Sequence, residues 1–275
     1  MNPESQNVFP LTLEIEELLP VMPSDQILLV AVCAEEVFFN HHIPGSVLIR
    51  PSELVSGIKP ATGKLPNAEH LSTIFSRIGL SKEKHVVAYD DEGGGWAGRL
   101  IWTLDVLGHH NHSFLNGGLV AWINEAHPVS SGIAEQEPSD YVAQIDRSVV
   151  VDLGDVLSQI GDSDSIVWDA RALEEYTGTK VTALKNGHIP GAVNLDWLEL
   201  IDHDSNLRLK PLDILKRELE SLGIDNNKKI ITHCQTHHRS GLSYLVGKIL
   251  ELDIKAYDGS WSEWGNHPNT PIERK

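Results

Sequence analysis

The sequence predicts an α/β protein of two tandem domains, each a mainly parallel sheet flanked by helices. Three observations carry that expectation. Short unbroken apolar runs alternate with stretches of helical spacing, the same order of signals returns in the second half, and 275 residues suffice for two separate cores. Ile27-Leu28-Leu29-Val30-Ala31-Val32 reads as a fully buried strand of a parallel sheet, and a helix carrying Glu35 and Glu36 follows it. His42-Ile43-Pro44-Gly45-Ser46-Val47 is a Pro-Gly turn feeding another short strand. Residues 71–80 have helical spacing, Val86-Val87-Ala88-Tyr89 is a strand, and 96–107 is a helix.

The second half repeats these signals. His188-Ile189-Pro190-Gly191-Ala192-Val193 copies the first Pro-Gly turn, and Ile230-Ile231-Thr232-His233-Cys234 lies over Val86-Val87-Ala88-Tyr89-Asp90. Asn116-Gly117-Gly118-Leu119-Val120-Ala121-Trp122 matches Asp258-Gly259-Ser260-Trp261-Ser262-Glu263-Trp264, and His127-Pro128 answers His267-Pro268. The offsets drift by only a few residues, as in a duplicated domain. The expected division is a first domain over 8–128, a Ser-Ser-Gly and Glu-rich linker over 129–147, and a second domain over 148–275. The two copies can satisfy one another across a pseudo-twofold interface, which predicts a monomer.

A formal charge of -17 and a pI near 5.2 argue against nucleic acid and anionic membranes as partners, since both select basic surfaces. Two cysteines, Cys33 and Cys234, are too few for a disulfide framework and suit a reducing compartment. The first thirteen residues show no basic start and no long apolar run, and no window approaches the ~20 apolar residues that span a bilayer. A soluble, cytoplasmic protein is expected.

The chemistry is expected at Cys234-Gln235-Thr236-His237-His238-Arg239, between the strand ending at Thr232-His233 and a helix whose apolar face is Leu242, Leu245, Val246, Ile249, Leu250 and Leu252. Ser240 is read as the cap of that helix. Backbone N–H groups after Cys234 lack carbonyl partners and converge on whatever the loop encloses. The helix dipole, Arg239 and any protonated imidazole of His237 or His238 all favour thiolate. The first copy is an internal control. Its loop, Asp90-Asp91-Glu92-Gly93-Gly94-Gly95, has no thiol, base or cation, and is expected to hold no anion at its centre. Aligning Glu174-Glu175-Tyr176 with Glu35-Glu36-Val37 sets Asp169 and Arg171 opposite Val30 and Val32, and the second copy carries an extra stretch around 177–186. The second domain is therefore read as active and the first as structural.

These residues resemble the two-domain rhodaneses, thiosulfate sulfurtransferases. The resemblance rests on the two His-Ile-Pro-Gly turns, Asp169-Ala170-Arg171, the Cys234 loop and Ala256-Tyr257-Asp258-Gly259-Ser260-Trp261-Ser262-Glu263-Trp264. It implies tandem domains with an inactive first copy and a ping-pong reaction. Cys234 takes the sulfane sulfur of thiosulfate as a persulfide and passes it to cyanide or a thiol, thioredoxin and iron–sulfur assembly proteins being candidate acceptors. Amides from Gln235 to Arg239, including those of Thr236, His237 and His238, would cradle the persulfide. Arg239 closes the loop, Arg171 is the candidate for steering the dianionic donor unless it pairs with Asp169 or Glu175, and Trp197 is a candidate pocket wall.

Protein phosphatases share a cysteine loop ending in arginine, but place one more residue between the two. The tighter ring here suits a single sulfur atom, and no general acid on a mobile loop is evident. Mercaptopyruvate sulfurtransferases are closer relatives. They usually have a small uncharged loop and a second arginine ahead of the Pro-Gly turn, where this chain offers Lys180 and Lys185. A metal site from His233, His237, His238 and Cys234 is disfavoured, because consecutive histidines on a tight loop point apart and a ligated sulfur cannot attack; no cofactor is expected. The pairs His41-His42 and His109-His110 with His112 are read as exposed polar turns. A non-catalytic sulfur carrier or protein-binding module is the alternative from a different class.

Overall fold

The repeat read in the sequence is a repeat of topology. The computed structural model describes residues 9–133 and 136–274; position 8, where the first domain was expected to begin, positions 134 and 135 of the expected linker, and Lys275 lie outside the described residues. The first half runs β1 (Thr12–Leu13), α1 (Ile15–Leu18), β2 (Ile27–Val32), α2 (Glu35–Asn40), β3 (Val47–Ile49), α3 (Ala68–Arg77), β4 (His85–Tyr89), α4 (Gly95–Val106), β5 (His112–Leu115) and α5 (Gly118–Asn124). The second begins with β6 (Val150–Val151), α6 (Leu153–Gln159), β7 (Ser165–Asp169), α7 (Leu173–Thr177) and β8 (Val193–Asn194). It continues with β9 (Ile201–Asp202), β10 (Arg208–Leu209), α8 (Leu212–Ser221), β11 (Lys229–His233), α9 (Arg239–Ile249), β12 (Ile254–Tyr257) and α10 (Ser260–Trp264). The sheet orders are β1-β5-β4-β2-β3 and β6-β12-β11-β7-β8, every pairing parallel; β9 and β10 form a separate antiparallel hairpin.

Strand alternation explains how the halves join. Leu28, Val30 and Val32 of β2 point into one core with residues of α3, α4 and α9, and Ile230 of β11 reaches the same core from the other domain. Leu29 and Ala31 face an outer core with Leu119 and Trp122, while Ile231 faces its counterpart with Tyr257, Trp261 and Trp264. Burial on both faces is why these strands read as unbroken apolar runs.

Helices α4 and α9 cross with their backbones in contact. A Cβ at Gly98 would stand 2.4 Å from the Gly241 carbonyl oxygen, and one at Gly241 2.5 Å from the Arg99 nitrogen. Beyond the crossing, Asp105 of α4 accepts from Tyr244 at 2.8 Å and pairs with Lys248 at 3.2 Å, both on α9. Each domain also covers the other's central loop with the excursion that follows its third sheet strand. A Cβ at Gly63 would fall 2.1 Å from the Thr236 carbonyl oxygen, Lys64 pairs with Glu263 at 2.5 Å, and the Leu65 N–H donates to Asp258 at 2.9 Å. In return Ile201 packs over Gly93, and the Leu209 N–H donates to Asn116 at 2.9 Å.

Several expectations change. Helix α9 begins at Arg239 with His238 at its N-cap, so Ser240 lies inside the first turn instead of capping it. The registers pair Tyr89 with Ala31 and His233 with Asp169. Asp169 therefore stands opposite Ala31, and Arg171 opposite Cys33, each one position later than the helix alignment implied. His42, His109 and His112 are buried, and only His41 and His110 of those turns are exposed. Residues 129–147 lie along the first domain: Ser130 bridges His42, and the amides of Ser139 and Asp146 donate to Ser76 and Val106. No helix is long and apolar enough to cross a membrane among the described residues.

The helix crossing gives a test. Gly98→Val forces α4 off α9 and should lower the unfolding free energy by about 3 kcal/mol, read as a lower urea midpoint.

Candidate active site

Strand β11 delivers Cys234 to the domain interface. The chain then turns through four residues into α9, and the thiol is fully buried. The start of α10 pins the near side of the loop, where the Trp261 and Ser262 amides donate to the carbonyls of Cys234 and Gln235, both at 2.9 Å. The Cys234 N–H reaches the Ser260 hydroxyl at 3.4 Å. The far side turns at His237, a non-glycine residue at φ +54°. Burial pushes the Cys234 thiol up, but Arg239, the hydroxyl and amide of Ser240, and His238 together pull it further down, below its ordinary 9.0. Cys33 goes the other way. Burial, with Asp91 and Asp90 adding to it, pushes that thiol up to about 12, so the two cysteines of one chain sit in opposite fields.

The two arginines that the second domain places near the sulfur carry carboxylate partners. Arg239 forms a two-pronged pair with buried Glu175 at 2.7 and 3.0 Å. Arg171 is wholly buried, bonded to Asp169 at 2.6 Å and to the Gly187 carbonyl at 2.8 Å, with its guanidinium 4.2 Å from the Trp261 ring centre; its Nη1 has no partner. It braces β7 and exposes no surface to an entering donor. Gln235 is also engaged elsewhere: its amide oxygen accepts from Thr182 at 2.9 Å and its amide nitrogen donates to the Thr182 carbonyl at 3.2 Å. The extra 177–186 stretch thus holds one flank of the loop, and Gly63 holds Thr236 on the other.

The two histidines differ. His237 is fully buried, edge-on to Trp102 at 4.5 Å between ring centres, and burial followed by Arg99 drives its pKa well below the ordinary value. It is neutral, so the positive field expected of it is absent. Its Nδ1 lies 2.8 Å from the Ser240 hydroxyl. That contact holds the Ser240 hydroxyl, which lowers the Cys234 pKa, beside the His237 ring. His238 is partly exposed, stacked on Trp96 at 4.3 Å and 5.7 Å from Trp197, and its Nε2 is bonded to Glu92. Trp197 stands beside the loop, on a 3₁₀ turn after β8.

Sequence reasoning missed what the first domain brings here: Gly63, Glu92, Trp96 and Arg99. One signal was legible, a lone arginine in the otherwise apolar helix Trp96-Ala97-Gly98-Arg99-Leu100-Ile101-Trp102. The first loop itself overturns an expectation. It holds an anion of its own: the Asp90 carboxylate accepts N–H bonds from Glu92, Gly93, Gly94, Trp96 and Ala97 at 2.8–3.2 Å. Burial and Glu92 push this acid up to about 6 against those donors. The backbone supplies the cradle, so no side-chain cation is required.

One domain thus carries a buried thiol at the loop position where its twin carries a carboxylate ringed by amides. The Rhodanese-like domain family model matches residues 15–125 and 152–267. A thiosulfate sulfurtransferase of Azotobacter vinelandii is 43% identical over 265 residues, covering 96% of this chain and 97% of its own, and one of Pseudomonas aeruginosa is 44% identical over the same span. Among solved structures, the 3-mercaptopyruvate sulfotransferase SseA of Escherichia coli matches with a TM-score of 0.82 at 27% identity, covering 92% of this chain and 99% of that one. The chain belongs to the rhodanese family and contains two rhodanese-like domains.

Two measurements test this geometry. The ultraviolet thiolate absorbance lost on Cys234→Ala should titrate with a midpoint below 9.0. Asp90→Asn turns an amide N–H₂ toward backbone donors, and should cost about 2–3 kcal/mol in urea unfolding.

Proposed function

We propose that the protein moves the sulfane sulfur of thiosulfate to a thiophilic acceptor through a persulfide on Cys234. The observation that carries this reading is the Asp90 carboxylate in its ring of five amides. A carboxylate oxygen stands two bonds beyond Cβ, and so does the outer sulfur of a cysteine persulfide. The Cys234 loop opens at the corresponding position of the second domain, and there the hydroxyl and amide of Ser240 favour negative sulfur, which supports the loop as a persulfide cradle. The thiosulfate sulfurtransferases that match along nearly the whole chain support the same reaction and donor.

In the first half-reaction the Cys234 thiolate attacks the outer sulfur of thiosulfate. A new S–S bond forms, the sulfur–sulfur bond of the donor breaks, and its electron pair leaves with sulfite. In the second, cyanide or a thiolate attacks the outer sulfur of the persulfide, and the Cys234 thiolate is released. Ser240, held by His237, donates to whichever sulfur bears the charge. Arg239 supplies the nearest positive field while Glu175 fixes its orientation. His238, with Trp96 and Trp197, forms the entrance. Thioredoxin or an iron–sulfur assembly protein would meet the acceptor's chemical requirement in a reducing cytoplasm. A single copy completes the site, because the covering residues come from its own first domain.

Mixing the protein with thiosulfate and no acceptor should release one sulfite per chain and add about 32 Da to Cys234 by mass spectrometry. Cys234→Ser should give neither. Sulfite release without mass on Cys234, or unchanged turnover in Cys234→Ser, would sink the reading. In single-turnover competition, thiosulfate should load the thiol faster than 3-mercaptopyruvate.

A further inference from the structure

Arg99 has no exposed surface, and among the described residues no carboxylate oxygen lies within ion-pair distance of it. Arg171 and Arg239 each have such a partner. Arg99 instead donates from Nη2 to the Leu54 carbonyl at 2.7 Å and from Nη1 to the His237 carbonyl at 3.4 Å; its guanidinium lies 4.6 Å from the Trp102 ring centre, and its Nε has no partner. A guanidinium without a counterion in a dry interior is costly unless an anion faces it. The groups of the second domain whose negative charge acts on it are the carboxylate of Asp258 and the thiolate form of Cys234.

We propose that Arg99 is a positioning residue for sulfur transfer, lent by the domain without the thiol. Its Nη1 holds the His237 carbonyl that shapes the sulfur loop, and its buried charge stabilises anionic sulfur from behind. The two bonds join the covering excursion at Leu54 to the loop at His237, so one side chain fixes both walls of the site. The backbone of His237 gives this bond its purpose. A non-glycine residue at φ +54° is held against a conformational cost, and a donor on its carbonyl offsets that cost.

Other charged groups around Cys234 are already neutralised locally. On the loop itself, Arg239 is tied to Glu175 of α7, His238 to Glu92, and His237 is neutral. From β7 come Asp169 and Arg171, paired with each other, and from β11 His233, whose pKa burial lowers. Asp258, after β12, is the remaining acid, and its carboxylate accepts from the Leu65 amide. Arg99 is the cation in this set whose charge is spent on no ion pair.

The inference rests on Cys234 being the sulfur-accepting thiol, but its test needs no sulfur donor. In the full chain, the thiolate midpoint of Cys234 is read by ultraviolet absorbance against a Cys234→Ala blank. Removing a facing positive charge disfavours thiolate, so Arg99→Met should move the midpoint up by about one pH unit, a tenfold smaller thiolate fraction below it. Arg99→Lys keeps the charge, and should move it by less than half as much. If Arg99→Met fails to fold, Arg99→Gln carries the same comparison with Arg99→Lys. An unmoved midpoint in the uncharged variant overturns the proposal, and so does an equal shift in the charged and uncharged ones, which would mean a distorted loop. Because the midpoint is independent of turnover, it separates this inference from the sulfur-transfer reading, which fails if thiosulfate adds no sulfur to Cys234 or if Cys234→Ser keeps full turnover.

Discussion

A thiol held in a dry interior and pulled toward its anionic form is the constraint on which the structure depends. Cys234 is fully buried, and burial alone would keep it a thiol. The loop meets this with the positive charge of Arg239 and with the hydroxyl and amide of Ser240 at the start of α9. None of these can drift without losing the sulfur. The surroundings are accordingly rigid: α10 fixes the carbonyls of Cys234 and Gln235, the 177–186 stretch grips the Gln235 side chain, and Gly63 of the other domain stands on Thr236.

That rigidity requires two domains. One copy could supply the strand, loop and helix, but the outer wall of the loop comes from its twin. The excursion through Gly63 to Leu65 covers the thiol loop, and the stretch carrying Ile201 and Leu209 covers the carboxylate loop. The two coverings occupy equivalent places in the two halves, as a pseudo-twofold arrangement requires. In the first domain Asp90 stands where the second has Cys234, and its carboxylate takes up five amides. The first domain remains part of the site through what it presses against the second domain.

The sequence was most readable where burial is one-dimensional. Strands such as β2 appear as continuous apolar runs because both faces are covered, and the expected span of Ile27–Val32 is the observed one. The duplication was legible because both copies keep the same turns. Cys234 was legible as a special position because it opens a polar loop between strand and helix. What could not be read was anything decided across the interface. Glu92 and Trp96 meet His238 only because α4 and α9 cross at Gly98 and Gly241, and no periodicity within one copy contains that contact. The Asp90 loop was misjudged for a related reason. Side chains were counted as the source of its positive field, while the field comes from backbone N–H groups that every sequence possesses. The one-residue error in placing Asp169 and Arg171 arose because helix starts were aligned where strand registers decide.

Pairing most of the nearby cations with carboxylates has a consequence for selectivity. With Arg239 balanced by Glu175, Arg171 by Asp169 and His238 by Glu92, the pocket does not present a broad positive surface to draw in any anion. The attraction is confined to the amide ring and to the charges directed at the sulfur, which act over short distances in low dielectric. The chain's overall charge is strongly negative, so any attraction for an anion at this loop has to come from such local groups and not from the surface as a whole.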